Sequence, residues 1–167
     1  MDYNLKKIIT GIKGGKYKLL GIGSSRIVYD LNDGNVIKVA KDIRGVYQNT
    51  AENQIYSSSK SNFFAEVIAI SEDNRCLLMP KAEKIKNIHT VYKYYDVNNI
   101  KSLTKLDNLS EDIINNNLSK GDLIRASNWG LINNVPLIID YGLTNSIYRK
   151  YYGLNVLFKR YKRLHYL

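Results

Sequence analysis

Through the first half of the chain, short β-branched and apolar runs are separated by glycine, serine, asparagine and aspartate. That is the pattern of strands and turns. Lys16 to Leu20 and Arg26 to Asp30 flank a glycine-serine turn. Asp30 to Asn35 carries hairpin chemistry, because Asp33-Gly34 favours positive φ, and the β-branched run Val36 to Ala40 follows it. Residues 47–58 change period, with Ala51, Gln54, Ile55 and Ser58 at helical spacing. Phe64 to Ser71 and Arg75 to Met79 then predict a strand pair around Glu72-Asp73-Asn74. The expectation is an antiparallel sheet with one helix inserted after its third strand.

The second half reads differently. Residues 85–105 are polar and poorly periodic. Asp107 to Leu118 predicts a helix with Leu106, Ile113, Ile114 and Leu118 on its apolar side, although Asn115-Asn116-Asn117 weakens it. Leu131-Ile132, a turn at Asn133-Asn134 and Pro136 to Asp140 predict a short hairpin. From Asn145 onward, Ile147, Tyr148, Tyr151, Leu154, Leu157, Phe158, Tyr161 and Leu164 recur at threes and fours. This is an amphipathic helix with Gly153 as a break.

The chain has 167 residues, 44% of them apolar and 24% charged, which is ordinary globular usage. A chain of this size buries roughly 68–70% of its unfolded surface and needs no disulfide or metal to fold. Cys76 is the only cysteine, so an intramolecular bridge and a cysteine-rich zinc site are excluded. No run approaches the roughly 18 apolar residues of a membrane span, and Lys13 interrupts the apolar start. A reducing, cytoplasmic compartment is expected, in a cell or in the host of a virus. The net charge of +10 is concentrated at the ends. No acid follows Tyr141, while Arg149, Lys150, Lys159, Arg160, Lys162 and Arg163 do. Such ends suit a polyanion such as nucleic acid, and an AT-rich coding bias toward lysine and asparagine would produce them equally well.

Four segments carry candidate chemistry, and their order matters. The first is the turn Gly21-Ile-Gly23-Ser24-Ser25-Arg26, whose glycines let backbone N–H groups press on phosphate oxygens while Ser24 and Ser25 add hydroxyls. The second is Lys38, set among Ile37 and Val39 in a strand next to that turn, with Glu52 placed 14 residues later to pair with it. The third is the loop from Asp122 to Asn128, Trp129 and Gly130. The fourth is the apolar strand ending in Asp140-Tyr141-Gly142. A carboxylate at a strand end and a nearby amide oxygen are the oxygen ligands that magnesium favours beside phosphates. Taken singly, each segment is more often an ordinary turn, an exposed strand lysine or a core plug such as Trp129.

Taken in this order, the segments resemble the protein-kinase-like family, and Leu77-Leu-Met79-Pro-Lys81-Ala82 stands where that family has its hinge. Asn128-Trp129-Gly130 with Ile138 to Thr144 is similar to small kinase-like proteins common in bacteriophage genomes. The resemblance spans roughly residues 17–145. It implies an α+β, protein-kinase-like fold with a five-stranded antiparallel sheet and one helix in residues 1–82. A much reduced helical lobe would occupy residues 83–167. It further implies ATP and Mg²⁺ as cofactors. Gly21, Gly23, Ser24 and Ser25 would lie over the phosphates, and Met79 and Lys81 at the base. Lys38 would contact the phosphates, paired with Glu52, and Asn128 and Asp140 would hold the metal. Asp122 would orient an acceptor hydroxyl.

The chain departs from that pattern at several places. Arg26 replaces the third glycine, Lys120-Gly121 precedes Asp122, and Asp122 and Asn128 are six apart where the family has five. No Ala-Pro-Glu follows, and 25 residues remain after Gly142, too few for a lobe that docks peptides. The implied activity is phosphotransfer to a protein or small-molecule hydroxyl. The alternatives are a pseudokinase that binds a host or virion protein, and a basic nucleic-acid-binding protein using its lysines and 14 tyrosines. His89 and His165 are far apart and belong to no metal or nucleophile motif.

Overall fold

A computed structural model describes residues 4–153. The chain begins with α1 (Leu5–Lys13), capped by the Asn4 side chain, which accepts from the Lys7 N–H. A five-stranded antiparallel sheet follows, from β1 (Lys18–Ile22), β2 (Arg26–Asp30) and β3 (Asn35–Ala40) to β4 (Ala69–Ile70) and β5 (Cys76–Pro80). Its spatial order is β1-β2-β3-β5-β4. Between β3 and β4 runs α2 (Ile43–Ser58). It starts four residues before the periodic stretch 47–58 because the Asp42 carboxylate accepts from the N–H groups of Arg44 and Gly45.

The strand expected over Phe64 to Ser71 shrinks to Ala69–Ile70. Its first residues pair elsewhere: the Ile138 N–H donates to the Phe63 carbonyl and the Ala65 N–H to the Ile138 carbonyl. This bridge draws the buried run Phe63–Ala65 onto a second, three-stranded sheet of β6 (Glu83–Lys84), β7 (Trp129–Ile132) and β8 (Val135–Ile138). The turn between β7 and β8 has Asn133 and Asn134 at φ 52° and 64°, the left-handed geometry of a two-residue hairpin.

Short helices pack beside this sheet: α3 (His89–Tyr94), α4 (Ile100–Leu103), α5 (Leu109–Asn115) and α6 (Lys120–Leu123), with α7 (Asn145–Tyr151) against α2. The helix expected over Asp107 to Leu118 is shorter at both ends, since Asp107, Asn108 and Asn117 all adopt positive φ. Within it Ile113 is buried, whereas Ile114 points outward and is 75% exposed. The polar stretch 85–105 holds α3 and α4, anchored by buried Val91, Tyr92 and Leu103.

One hydrophobic cluster runs from Val36, Leu77 and Met79 on the sheet, through Ile55 of α2, to Leu109, Ile113, Leu123, Trp129 and Ile138. The two halves therefore share a core. A smaller cluster on the sheet's other face joins Ile37, Cys76 and Leu78 to Ile8 of α1. Burial pushes the Cys76 thiol up to about 11, so it stays protonated at neutral pH. Among the described residues no helix is long and apolar enough to cross a membrane. In α7, Ile147 and Tyr151 are partly buried. The rest of the expected helix, with Leu154, Leu157, Lys159, Arg160, Lys162 and Arg163, lies outside the described residues.

Candidate functional site

Lys38 sits in the middle of β3, opposite Val28 of β2 and Leu77 of β5. Strand alternation aims it at the side of the sheet that carries α2. Its Nζ donates to Glu52 Oε2 at 2.8 Å and to the carbonyl of Ile139 at 2.6 Å. Glu52 is fully buried on α2. Its other oxygen, Oε1, accepts from the backbone N–H groups of Tyr141 and Gly142, each at 3.2 Å. The carboxylate therefore ties β3 to the chain just past β8. That approach explains Gly142: a Cβ there would lie 2.4 Å from the Gln48 carbonyl oxygen of α2.

Arg26 completes the cluster, and sequence reasoning did not place it in the site. Its Nη1 lies 3.0 Å from Glu52 Oε2 and donates to Asn49 Oδ1 at 3.3 Å, while Nη2 donates to Asp140 Oδ1 at 2.6 Å. Arg26, Lys38 and Glu52 are almost wholly buried, whereas the Asp140 side chain is half exposed. The signal for Arg26 was in the register. It lies two residues before Val28, which pairs across strands with Lys38, so alternation puts Arg26 and Lys38 on one face.

The charges respond to this crowding. Burial pushes the Lys38 ammonium below its usual range, and the neighbouring Arg26 acts the same way, against the pull of Glu52 and Asp140. Burial also disfavours a charged Arg26, but Glu52 and Asp140 outweigh it and raise its pKa. Asp140 is likewise opposed by burial, yet Arg26 and Lys38 hold its carboxyl below the usual range.

The glycine turn is fastened rather than free. The Gly23 N–H donates to the Arg26 carbonyl at 2.8 Å, Lys41 donates to the carbonyls of Ser25 and Gly23, and Arg44 donates to that of Ser24. The Ser25 hydroxyl turns inward to Gln48 Oε1 at 2.9 Å, and Ser24 Oγ lies 3.4 Å from the Tyr152 hydroxyl. Gly23, Ser24 and Ser25 nonetheless line a cavity of about 190 Å³ together with Arg26, Lys38 and Asp140.

A second cavity of about 300 Å³ is also lined by Lys38, together with Leu20, Gly21, Val28, Val36, Met79, Ile139 and Asp140. Lys81 lies at its edge. Its N–H donates to the Gly34 carbonyl and its Nζ to Asp30 Oδ2 at 2.7 Å, and the preceding Pro80 has no N–H. Asp122 and Asn128 line a third, smaller cavity with Asp140 and Arg125. Asp140 thus stands where three cavities meet. Burial pushes the Asp122 carboxyl up, opposed by Arg125 and reinforced by Asp140.

Asn128 and Asp140 share a cavity, but one of the two Asp140 oxygens is not open to a magnesium ion. Asp140 Oδ1 already receives the Arg26 guanidinium, and Asn128 donates its amide N–H to the Asp122 carbonyl at 3.0 Å. Among the described residues no three His, Cys, Asp or Glu side chains converge as a metal site.

No protein-family model and no curated protein sequence matches the chain. Among solved structures it is similar to SAICAR synthase from Saccharomyces cerevisiae in complex with SAICAR, at 10% identity and a TM-score of 0.42, covering 77% of this chain and 74% of that one. It is also similar to the streptomycin-ATP-APH(2")-IIa ternary complex, at 17% identity and a TM-score of 0.48, covering 85% of this chain and 72% of that one.

Proposed function

We propose that this chain is a nucleotide-binding domain of the protein-kinase-like kind and that the cleft between its sheets takes ATP. One observation carries this reading. Lys38 is held at the cavity floor by Glu52, which also clamps the backbone after Asp140. A buried lysine fixed at both its carboxylate and the Ile139 carbonyl is positioned to meet an anion, and one ammonium hydrogen remains for a phosphate. The apolar cavity beside it, formed by Leu20, Val28, Val36 and Met79, suits a flat base. The neighbouring cavity under Gly23 and Ser24 suits the phosphates.

Phosphotransfer would place an acceptor hydroxyl in the third cavity. Asp122, with its raised pKa, would take the hydroxyl proton as the oxygen bonds to the γ-phosphorus and the bond to the β-phosphate oxygen breaks. A second reading, a nucleotide-binding module without transfer, is favoured by Arg26, which neutralises the Asp140 carboxylate.

Calorimetric titration with ATP tests the shared part. Wild type should bind saturably, and Lys38→Met, checked for folding by circular dichroism, should bind at least about tenfold more weakly. Saturable binding undiminished in Lys38→Met would overturn the reading. Transfer of labelled γ-phosphate, lost in Asp122→Asn, would select the enzyme over the module.

A further inference from the structure

We propose that Arg26 is a built-in cation that replaces the divalent metal at Asp140, so that this cleft binds its nucleotide without magnesium. The inference rests on the nucleotide reading above and specifies how that site handles charge. Arg26 is fixed at both ends. Its backbone lies in β2, paired with Ala40, and its carbonyl accepts the Gly23 N–H. Its guanidinium reaches acceptors on two separate elements, Asn49 and Glu52 on α2 and Asp140 just beyond β8. Withdrawing it would leave the Glu52 carboxylate, fully buried, with Lys38 as its only cation among the described residues, and would strip Asp140 of its charge-assisted bond. These are the bonds of a permanent fixture.

Arg26 occupies one of the carboxylate oxygens that a metal at Asp140 would draw on. Magnesium requires oxygen ligands at roughly 2.0–2.1 Å in near-octahedral geometry. The Asp140 oxygen turned toward the cluster is covered by Nη2 at 2.6 Å. An ion seated there would also face two cations, Arg26 and Lys38. The four charged side chains, two cations and two carboxylates, already balance, and no divalent ion is required to neutralise Asp140. The described bonds use three of the five guanidinium N–H groups. Arg26 and Lys38 both line the cavity under the glycine turn. A planar guanidinium is suited to phosphate oxygens, and an arginine stays charged at any physiological pH. The phosphates of ATP would therefore be met by Arg26 and Lys38 directly.

The test is calorimetric titration of ATP into the wild-type full chain, once in excess EDTA and once in excess magnesium chloride. Affinity in EDTA should equal or exceed that in magnesium, since the metal masks phosphate charge that Arg26 and Lys38 would otherwise meet. Binding at least about tenfold tighter with magnesium would overturn the proposal and leave the nucleotide reading standing. An absence of binding in both buffers would instead remove the nucleotide reading, and this proposal with it. In Arg26→Gly, which restores a glycine at that place, ATP binding should become tighter with magnesium than without. If that variant keeps the metal indifference of wild type, Arg26 is not its cause. Should Arg26→Gly fail to fold, the two wild-type titrations still decide.

Discussion

Asp140 stands between two halves of the site that are built differently. On the sheet side, Lys38, Arg26 and Glu52 are buried and Asp140 is half exposed at their edge, and each of the four charges touches at least one opposite charge. Every oxygen of Glu52 is engaged, one by two cations and one by two backbone N–H groups. On the helix side, Asp122 stands on a single turn of helix, with Arg125 at 3.7 Å as its nearest cation and a quarter of its side chain in solvent. A closed network resists change and fixes geometry. A lone carboxylate with a raised pKa is free to exchange a proton. The two halves are thus suited to different tasks, holding an anion and handling a proton.

The contrast should show first in stability. Glu52→Gln removes the charge that both buried cations share, and the amide cannot accept on both sides as the carboxylate does. Removing one partner of a buried ion pair typically costs about 3–5 kcal/mol. Urea denaturation should find a loss of that order, enough to unfold a marginal domain. A loss below about 1 kcal/mol, the scale of a surface pair, would mean that the network is not the closed unit described.

Gly142→Ala probes the same half through its backbone. The added methyl would fall 2.4 Å from the Gln48 carbonyl oxygen and 3.0 Å from Glu52 Cγ. The contact atom is main chain in α2, so either the helix or the Tyr141–Gly142 segment must shift. Overpacking of this kind costs typically about 1–3 kcal/mol. The shift would also pull the two N–H groups from Glu52 Oε1, so the ATP affinity proposed for the cleft should fall together with the denaturation midpoint. A stable variant with unchanged affinity would show that the clamp does not position the site.

The sheet side was also the more legible half in the sequence. Apolar runs and turn chemistry gave β2, β3, β5 and the Asn133-Asn134 hairpin nearly residue by residue, because each is a short apolar or β-branched run bounded by a diagnostic turn. The spacing of Lys38 and Glu52 pointed to a pair that lies at 2.8 Å. The short α3 and α4 were hidden because each is held by only one or two buried side chains, too few to make a period. The start of the Phe64 to Ser71 run looked like a strand of the first sheet, but Phe64 pairs with Ile138, a choice set by tertiary contacts. Arg26 stood out as an exception to a glycine motif, and strand alternation could put it on the face of Lys38 but not name its partners. Its bonds to Asn49 and Asp140 join residues 23 and 114 positions away, which local pattern does not reveal.

Asp122→Asn should have the smallest effect on stability, and its sign follows from the raised pKa. A carboxyl whose folded pKa exceeds its unfolded value, about 3.9 for Asp, binds its proton more tightly in the folded state. Its contribution is present in full below the unfolded pKa and is lost as pH rises through the folded one. The asparagine variant cannot ionise and escapes that loss. Near neutral pH it should match wild type or exceed it by no more than about 0.5 kcal/mol, and the difference should vanish on acidification. Denaturation at several pH values would detect this, and a clearly less stable variant at neutral pH would show that the charged carboxylate is held by a bond other than its contact with Arg125. If the chain transfers phosphate, the same carboxylate must be ionised to accept the hydroxyl proton. The rate would then fall as pH drops through the raised pKa, while binding of ATP, held by the sheet side, stays level. Rate and affinity falling together across that range would show the two halves titrating as one.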